Sequence, residues 1–197
     1  MKHEQLWAPW RLAYISGEPE REKPAPATLL AGADPACFLC QATAGDDDRD
    51  RLVVQHGRDS LTVLNRYPYN NGHLLVAPNR HVARLDQLEA AEQLDLVQTI
   101  SRMIALLEQT IRAEGFNVGL NLGQVAGAGL PGHVHWHIVP RWQGDTNFMP
   151  AVAGIRVIPQ SLEALWELLT EALGRDPHPQ VGSRRVPRSP QNSRPDA

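Results

Sequence analysis

The run His133-Val134-His135-Trp136-His137-Ile138-Val139 alternates strictly. As a strand it places three imidazoles on one face and Val134, Trp136 and Ile138 on the other. Successive rings on such a face stand about 6.6–6.8 Å apart and the outer pair about 13 Å, so neighbours converge on one small group while three rings on a single metal would be strained. Histidine changes charge near neutrality, and a solvated polar face rarely uses three. Two chemistries fit: a metal site built on a His-x-His pair, or a nucleophilic imidazole flanked by groups that orient it. Cys37-Phe38-Leu39-Cys40 bears on the choice. Two thiolates at this spacing clamp a tetrahedral metal, and two histidines would complete the shell. Such a site is closed, so a zinc there is structural and the remaining histidines carry the chemistry. A redox dithiol expects a βαβ context that is not evident here. An ordinary pair of thiols stays open.

The chain that must position these groups has 197 residues, 42% of them apolar, with a net charge of -3, 2 cysteines and 8 histidines. One domain is expected. The acidic balance excludes long nucleic acid and anionic membrane as partners recognised by a global field. No run approaches the ~18 apolar residues of a membrane helix, and the amino terminus lacks a signal peptide, so the expected location is the cytoplasm. From Gly174 onward the chain is rich in Pro, Arg, Ser and Gln, with five arginines against two aspartates. This composition reads as a disordered basic tail over 174–197. It leaves residues 1–173 as the domain, with an amino-terminal aromatic segment over 1–16 and a loop over 17–35.

Strand-like runs at Leu52–Gln55, Leu61–Asn65 and His73–Ala77 suggest an antiparallel meander. Asp86 and Glu89 form a candidate capping box for a long helix through Val97, Ile100, Ile104, Leu107 and Ile111, stopped by Gly115. Phe116–Leu122 alternates as a half-buried strand with Asn121 on its polar face. A last helix follows Ser161 through Leu162, Leu165, Trp166, Leu169 and Leu173.

Gly132-His133-Val134-His135-Trp136-His137-Ile138-Val139 resembles the histidine-triad signature of the HIT nucleotide hydrolases and transferases. LWAPWR, CFLC, NRYPYNNGHLLVAP, GFNVGLNLG and PRWQGDTNF resemble the branch containing bacterial diadenosine polyphosphate phosphorylases and hydrolases. The resemblance implies an α+β fold: a five-stranded antiparallel sheet with a long helix and a carboxy-terminal helix, dimerised into a ten-stranded sheet. It implies that His135 attacks the α-phosphorus of an AMP-containing substrate such as diadenosine tetraphosphate, giving a nucleotidyl-histidine. It further implies that His137 meets the phosphate and leaving-group oxygens, that Asn65 contacts the ribose and that Asn121 holds the phosphate end. One structural zinc per chain would rest on Cys37, Cys40, His81 and His133.

Phe38 and Leu39 are candidate walls of the base pocket, and His73 a candidate support for the triad. Gly127-Ala128-Gly129 either presents backbone N–H groups to phosphate, Gly129 among them, or is a simple turn. Arg66, Arg80 and Arg141 are candidate phosphate partners or, the plainer reading for any one of them, solvated surface charges. Phosphorylase members of the branch carry a small hydroxyl residue just before the triad, whereas residues 128–132 here contain neither Ser nor Thr. The choice between orthophosphate and water as acceptor therefore stays open. Three other functions remain: hydrolysis of nucleoside phosphoramidates or adenylyl conjugates, nucleotide binding with little catalysis, and zinc-dependent hydrolysis at a His-x-His site.

Overall fold

A computed structural model describes residues 28–145 and 158–175. The aromatic segment 1–16, most of the loop 17–35 and the tail beyond Arg175 lie outside them. The elements run α1 (Phe38–Ala44), α2 (Asp48–Arg51), β1 (Val53–His56), β2 (Ser60–Leu64), β3 (Leu74–Pro78), a 3-10 turn (Leu85–Gln87), α3 (Ala90–Ile111), β4 (Gly115–Leu120), a second 3-10 turn (Gln124–Ala126), β5 (Trp136–Arg141) and α4 (Leu162–Gly174). The five strands form one antiparallel sheet, as expected, and their order is β1-β2-β3-β5-β4.

The sheet has two covered faces. Leu64, Leu74, Val76, Val134 and Ile138 pack with Leu96, Ile100, Met103 and Leu107 of α3 and with Leu165, Trp166 and Leu169 of α4. Each such fully buried side chain contributes about 1.5–3 kcal/mol. Trp166 also donates its indole N–H to the carbonyl of Val53 at 2.7 Å, tying α4 to β1 beside the register shift between Val53 and Gln55. On the opposite face Leu39, Cys37 and Cys40 of the α1 region pack on Val53, Leu61, Val63, Leu75 and Ala77.

The helix α3 departs from expectation at both ends. It begins at Ala90, not Asp86, because Asp86 lies in the 3-10 turn and accepts from Arg84. Glu89 caps it instead, its N–H donating to Glu92 at 2.8 Å. The helix ends at Ile111, where Arg112 takes a left-handed φ of 54° and its carbonyl accepts from the Trp142 indole; Gly115 opens β4. The buried stripe is Leu96, Ile100, Met103 and Leu107, so Val97 and Leu94 are exposed.

β4 is an edge strand. It ends at Leu120 rather than Leu122, no strand lies outside it among the described residues, and Val118 and Leu122 are exposed. Gly72 has φ +76°, and a Cβ there would stand 2.6 Å from Ile111 Cδ1. Only glycine lets the turn before His73 approach α3 so closely.

Candidate active site and metal centre

The histidine run is half strand, half approach. β5 begins at Trp136, so of the three imidazoles only His137 lies within the ladder, paired with Leu75 and Gly119. Residues 133–135 precede the ladder and bond elsewhere: the N–H of Val134 donates to Val82 at 2.7 Å in the segment after β3. The alternation survives, with Val134 and Ile138 in the helix-side core and the three imidazoles on the other face.

Cys37 is the residue before α1 and Cys40 lies in its first turn. His81 follows β3 and His133 precedes β5, and the ligand atoms of all four lie within 4.8 Å of one another. Cys37 Sγ is 3.3 Å from His133 Nδ1, Cys40 Sγ is 3.3 Å from His81 Nδ1 and 3.6 Å from His133 Nδ1. A tetrahedral zinc with ordinary bond lengths puts its ligand atoms about 3.3–3.8 Å apart, so the donor set fits zinc.

The tautomer fits as well: His133 Nε2–H donates to the Pro78 carbonyl at 2.9 Å, which leaves the Nδ1 lone pair for a metal. Burial pushes the Cys37 thiol up to about 12 and His133 down to about 4. A neutral imidazole is the ligating form, and buried thiolates call for a cation beside them. Gly132 lies against this centre, since a Cβ there would stand 3.1 Å from His81 Nε2.

His133 also reaches the second site. Its carbonyl accepts from His135 Nδ1–H at 2.8 Å, so the His135 lone pair is on Nε2. His137 lies beside His135, ring centroids 5.1 Å apart, and its Nδ1 is 2.9 Å from Nε2 of the fully buried His73. The N–H of Tyr69 donates to His73 Nδ1 at 3.0 Å, and the Asn65 amide nitrogen is 3.2 Å from the same atom. Tyr69 is a site residue the sequence reading missed: its ring stacks on His137 at 5.9 Å and meets His73 at 4.8 Å. Its position four residues before His73, inside a Pro- and Gly-bounded turn, was the available signal. Burial, and then His135 nearby, lower the pKa of His137.

The remaining candidates divide. Asn65 accepts from the Tyr67 N–H at 3.0 Å, fixing its amide beside His73. Phe38 is 48% exposed whereas Leu39 is 0% exposed; Leu39 is core, so its side chain presents no surface to a base. Asn121 lies just beyond β4 with its amide 3.5 Å from the Gly127 carbonyl. The N–H groups of Gly127 and Ala128 close turns onto Gln124 and Gly123, which corrects the reading of that whole stretch as a phosphate cradle; exposed Gly129 is left for the role. Arg80 grips Glu92 through two nitrogens and caps the Gln87 carbonyl, Arg141 pairs with Asp145, and Arg66 donates to the Asp50 carbonyl. These bonds give the three arginines structural work. His56, unassigned by sequence, is buried against Asp48 at 2.8 Å.

A five-stranded antiparallel sheet with a clustered histidine face beside a Cys2His2 set that could hold a metal is an α+β arrangement. Residues 47–144 match the family model described as HIT domain. The chain is 39% identical over 174 residues to the AP-4-A phosphorylase of Mycobacterium tuberculosis, covering 88% of this chain and 86% of that one. It is 37% identical over 86 residues to the asymmetrical bis(5'-nucleosyl)-tetraphosphatase of Schizosaccharomyces pombe, covering 44% and 47%. A zinc-bound histidine triad family protein from Mycobacterium smegmatis superposes with a TM-score of 0.56 at 25% identity, covering 71% of this chain and 94% of that one. The chain belongs to the HIT family, and it is an enzyme of that family. Among the described residues no helix is long and apolar enough to cross a membrane.

Proposed function

We propose that the protein transfers a nucleotidyl group out of dinucleoside polyphosphates, diadenosine tetraphosphate among them, through a covalent nucleotidyl-His135. The observation that carries this reading is the 2.8 Å bond from His135 Nδ1 to the His133 carbonyl. It fixes the ring's orientation and places its donor proton on Nδ1, leaving Nε2 as the atom that faces the phosphorus, the arrangement a nucleophilic imidazole requires. The names of the mycobacterial and yeast relatives support the substrate class.

In the first step Nε2 of His135 forms a bond to the α-phosphorus. The bridging P–O bond breaks, and its electron pair leaves with the polyphosphate. His137 donates to the departing oxygens, Asn65 meets the ribose, Phe38 walls the base, and Asn121 with Gly129 holds the phosphate end. An acceptor oxygen then displaces His135. Zinc held by Cys37, Cys40, His81 and His133 would supply a rigid anchor. A zinc held by these four side chains would have no position left for water, which argues against zinc-activated hydrolysis. The reduced, buried cysteines suit a cytoplasmic setting.

Rapid quenching after mixing with adenine-labelled diadenosine tetraphosphate is expected to trap label on the His135 peptide, with ATP released in the same burst. Turnover without any labelled protein would count decisively against the covalent route.

Homodimerisation through β4 belongs to the same reading. The strand presents an unpaired edge with Val118 exposed, the arrangement that pairs with a second copy. Sedimentation is expected to give a dimer for the parent chain and a monomer for Val118→Glu. A monomeric parent removes the proposal.

A further inference from the structure

A dinucleoside polyphosphate carries two bases, and the nucleotidyl-transfer reading gives exposed Phe38 to the one that stays with His135. The histidine row has a second exposed aromatic side chain at its other end. His133 marks the α1 end, its Nδ1 3.3 Å from Sγ of Cys37, the residue before Phe38. His137 marks the opposite end and lies under Tyr69, whose ring is stacked on it at 5.9 Å and 16°. His135 is the row's middle member, its ring centroid 5.1 Å from that of His137. The proposed nucleophile thus has one exposed aromatic ring toward each end of its row.

Tyr69 meets His137 and, at 4.8 Å, the fully buried His73, two imidazoles 5.1 Å apart, and still it is 51% exposed. One side of its ring covers the imidazoles and the other faces solvent. The ring is also held in advance of any ligand. Its backbone N–H donates to His73 Nδ1 at 3.0 Å, which pins the turn to the residue before β3. A ring already ordered loses little freedom when a second flat ring is laid on it.

Resting on the nucleotidyl-transfer reading above, we infer that the solvent side of Tyr69 is the stacking platform for the base of the departing nucleotide. His137 meets the oxygens of the departing polyphosphate in that reading, so the ring laid over His137 adjoins what leaves. Stacking uses the π-face that every base has and makes no use of its hydrogen-bonding edge. The site therefore selects for a second nucleoside without selecting which base it carries. Its preferred substrates are dinucleoside tetraphosphates, mixed ones included, over polyphosphates that have a base at one end alone. Tyr69 is the specificity-determining residue for that choice, acting on a fragment remote from the reacting phosphorus.

A charge-matched pair of substrates tests the inference: diadenosine tetraphosphate and adenosine 5'-tetraphospho-5'-ribose, which keeps the phosphates, the leaving oxygen and the second sugar and lacks the second base. The ratio of their kcat/KM values is the readout. Stacking of one base on one aromatic ring corresponds to about 5–150-fold, so the ratio is expected to fall by at least about 5-fold from the parent to Tyr69→Leu. Tyr69→Trp, which returns a flat ring, is expected to restore it. Both variants keep the backbone N–H that reaches His73. Scored by adenylyl transfer, the mixed adenosine-guanosine tetraphosphate is expected to match diadenosine tetraphosphate in the parent. If Tyr69→Leu lowers both rates alike and leaves the ratio unchanged, the ring only holds His137 or serves the retained nucleoside; the inference is then overturned and the nucleotidyl reading stands. A marked preference for adenine over guanine on the leaving side overturns it in the same way. Turnover of neither tetraphosphate by the parent removes the nucleotidyl reading and the inference with it.

Discussion

Replacing His135 with glycine is expected to lower kcat for diadenosine tetraphosphate by at least about 10⁴-fold, since removing a covalent nucleophile forfeits the whole two-step route. Fold and zinc content should be unchanged. His135 is buried, its Nδ1–H donates to a carbonyl, and among the described residues it is not a member of the metal set. Its loss leaves a cavity on the histidine face and leaves the helix-side core of Val134, Ile138 and α3 intact. The cavity offers a second readout. Free imidazole is expected to restore a measurable part of the rate in His135→Gly, with nucleotidyl-imidazole as the product. A variant that keeps a tenth or more of the parent rate, or one whose residual rate ignores added imidazole, would contradict the assignment of nucleophile. His137→Ala should behave differently: it removes a donor and not the attacking atom, so its loss is expected at about 10²–10³-fold with the labelled intermediate still forming slowly.

The parts of this site that were legible in the sequence are those set by local periodicity and residue chemistry. The alternation of His133, His135 and His137 announced their common face, and it holds even though the ladder takes in only the last of them. The CFLC spacing announced a metal clamp because a helix start brings residues three apart onto one side. Leu39 shows the limit of local reasoning. Phe38 and Leu39 look alike in sequence, and only the docking of α1 on β2 and β3 decides that one is exposed and the other core.

The arginines show the same limit in electrostatics. A guanidinium near a phosphate site reads as a phosphate partner until its carboxylate is located, and Glu92 stands 12 residues from Arg80 on another element. Tyr69 contributes through its backbone N–H to His73 and through its ring stacked on His137, and only the fold of the turn brings both to the histidine face. The α3 stripe shifts from Val97 to Leu96 because the face docked on the sheet is that of Leu96, Ile100, Met103 and Leu107, a choice that periodicity alone does not make. The Glu89–Glu92 cap and the Arg80 grip separately displace the helix start by about one turn from Asp86.

Removing the metal is expected to cost stability and activity together, and one residue explains why. His133 carries three roles at once: Nδ1 faces the two sulfurs, Nε2–H is given to Pro78, and its carbonyl accepts from His135. The metal would therefore clamp the ring whose own backbone orients the nucleophile. It would also tie the start of α1, the segment after β3 and the approach to β5, which lie far apart along the chain. In its absence, two buried thiols with Cys37 pushed up to about 12 and two facing imidazoles form a polar cluster with no cation to unite it.

Cys40→Ser, or a strong chelator on the parent, is expected to take zinc from about one per chain to near none. The unfolding free energy should fall by about 3–4 kcal/mol or more, the linkage expected when a ligand is held at 100–1,000 times its dissociation constant. The sheet and the α3–α4 core should persist, since that core lies on the other face and makes no use of the centre. Far-UV dichroism is thus expected to change little while the unfolding midpoint drops. The rate should fall with zinc content because the His133 carbonyl loses its fixed direction, and restoring zinc should restore both. A fully active, equally stable protein free of zinc would show that Cys37, Cys40, His81 and His133 hold the approach to β5 without a metal, and would detach the Cys2His2 centre from the chemistry of His135.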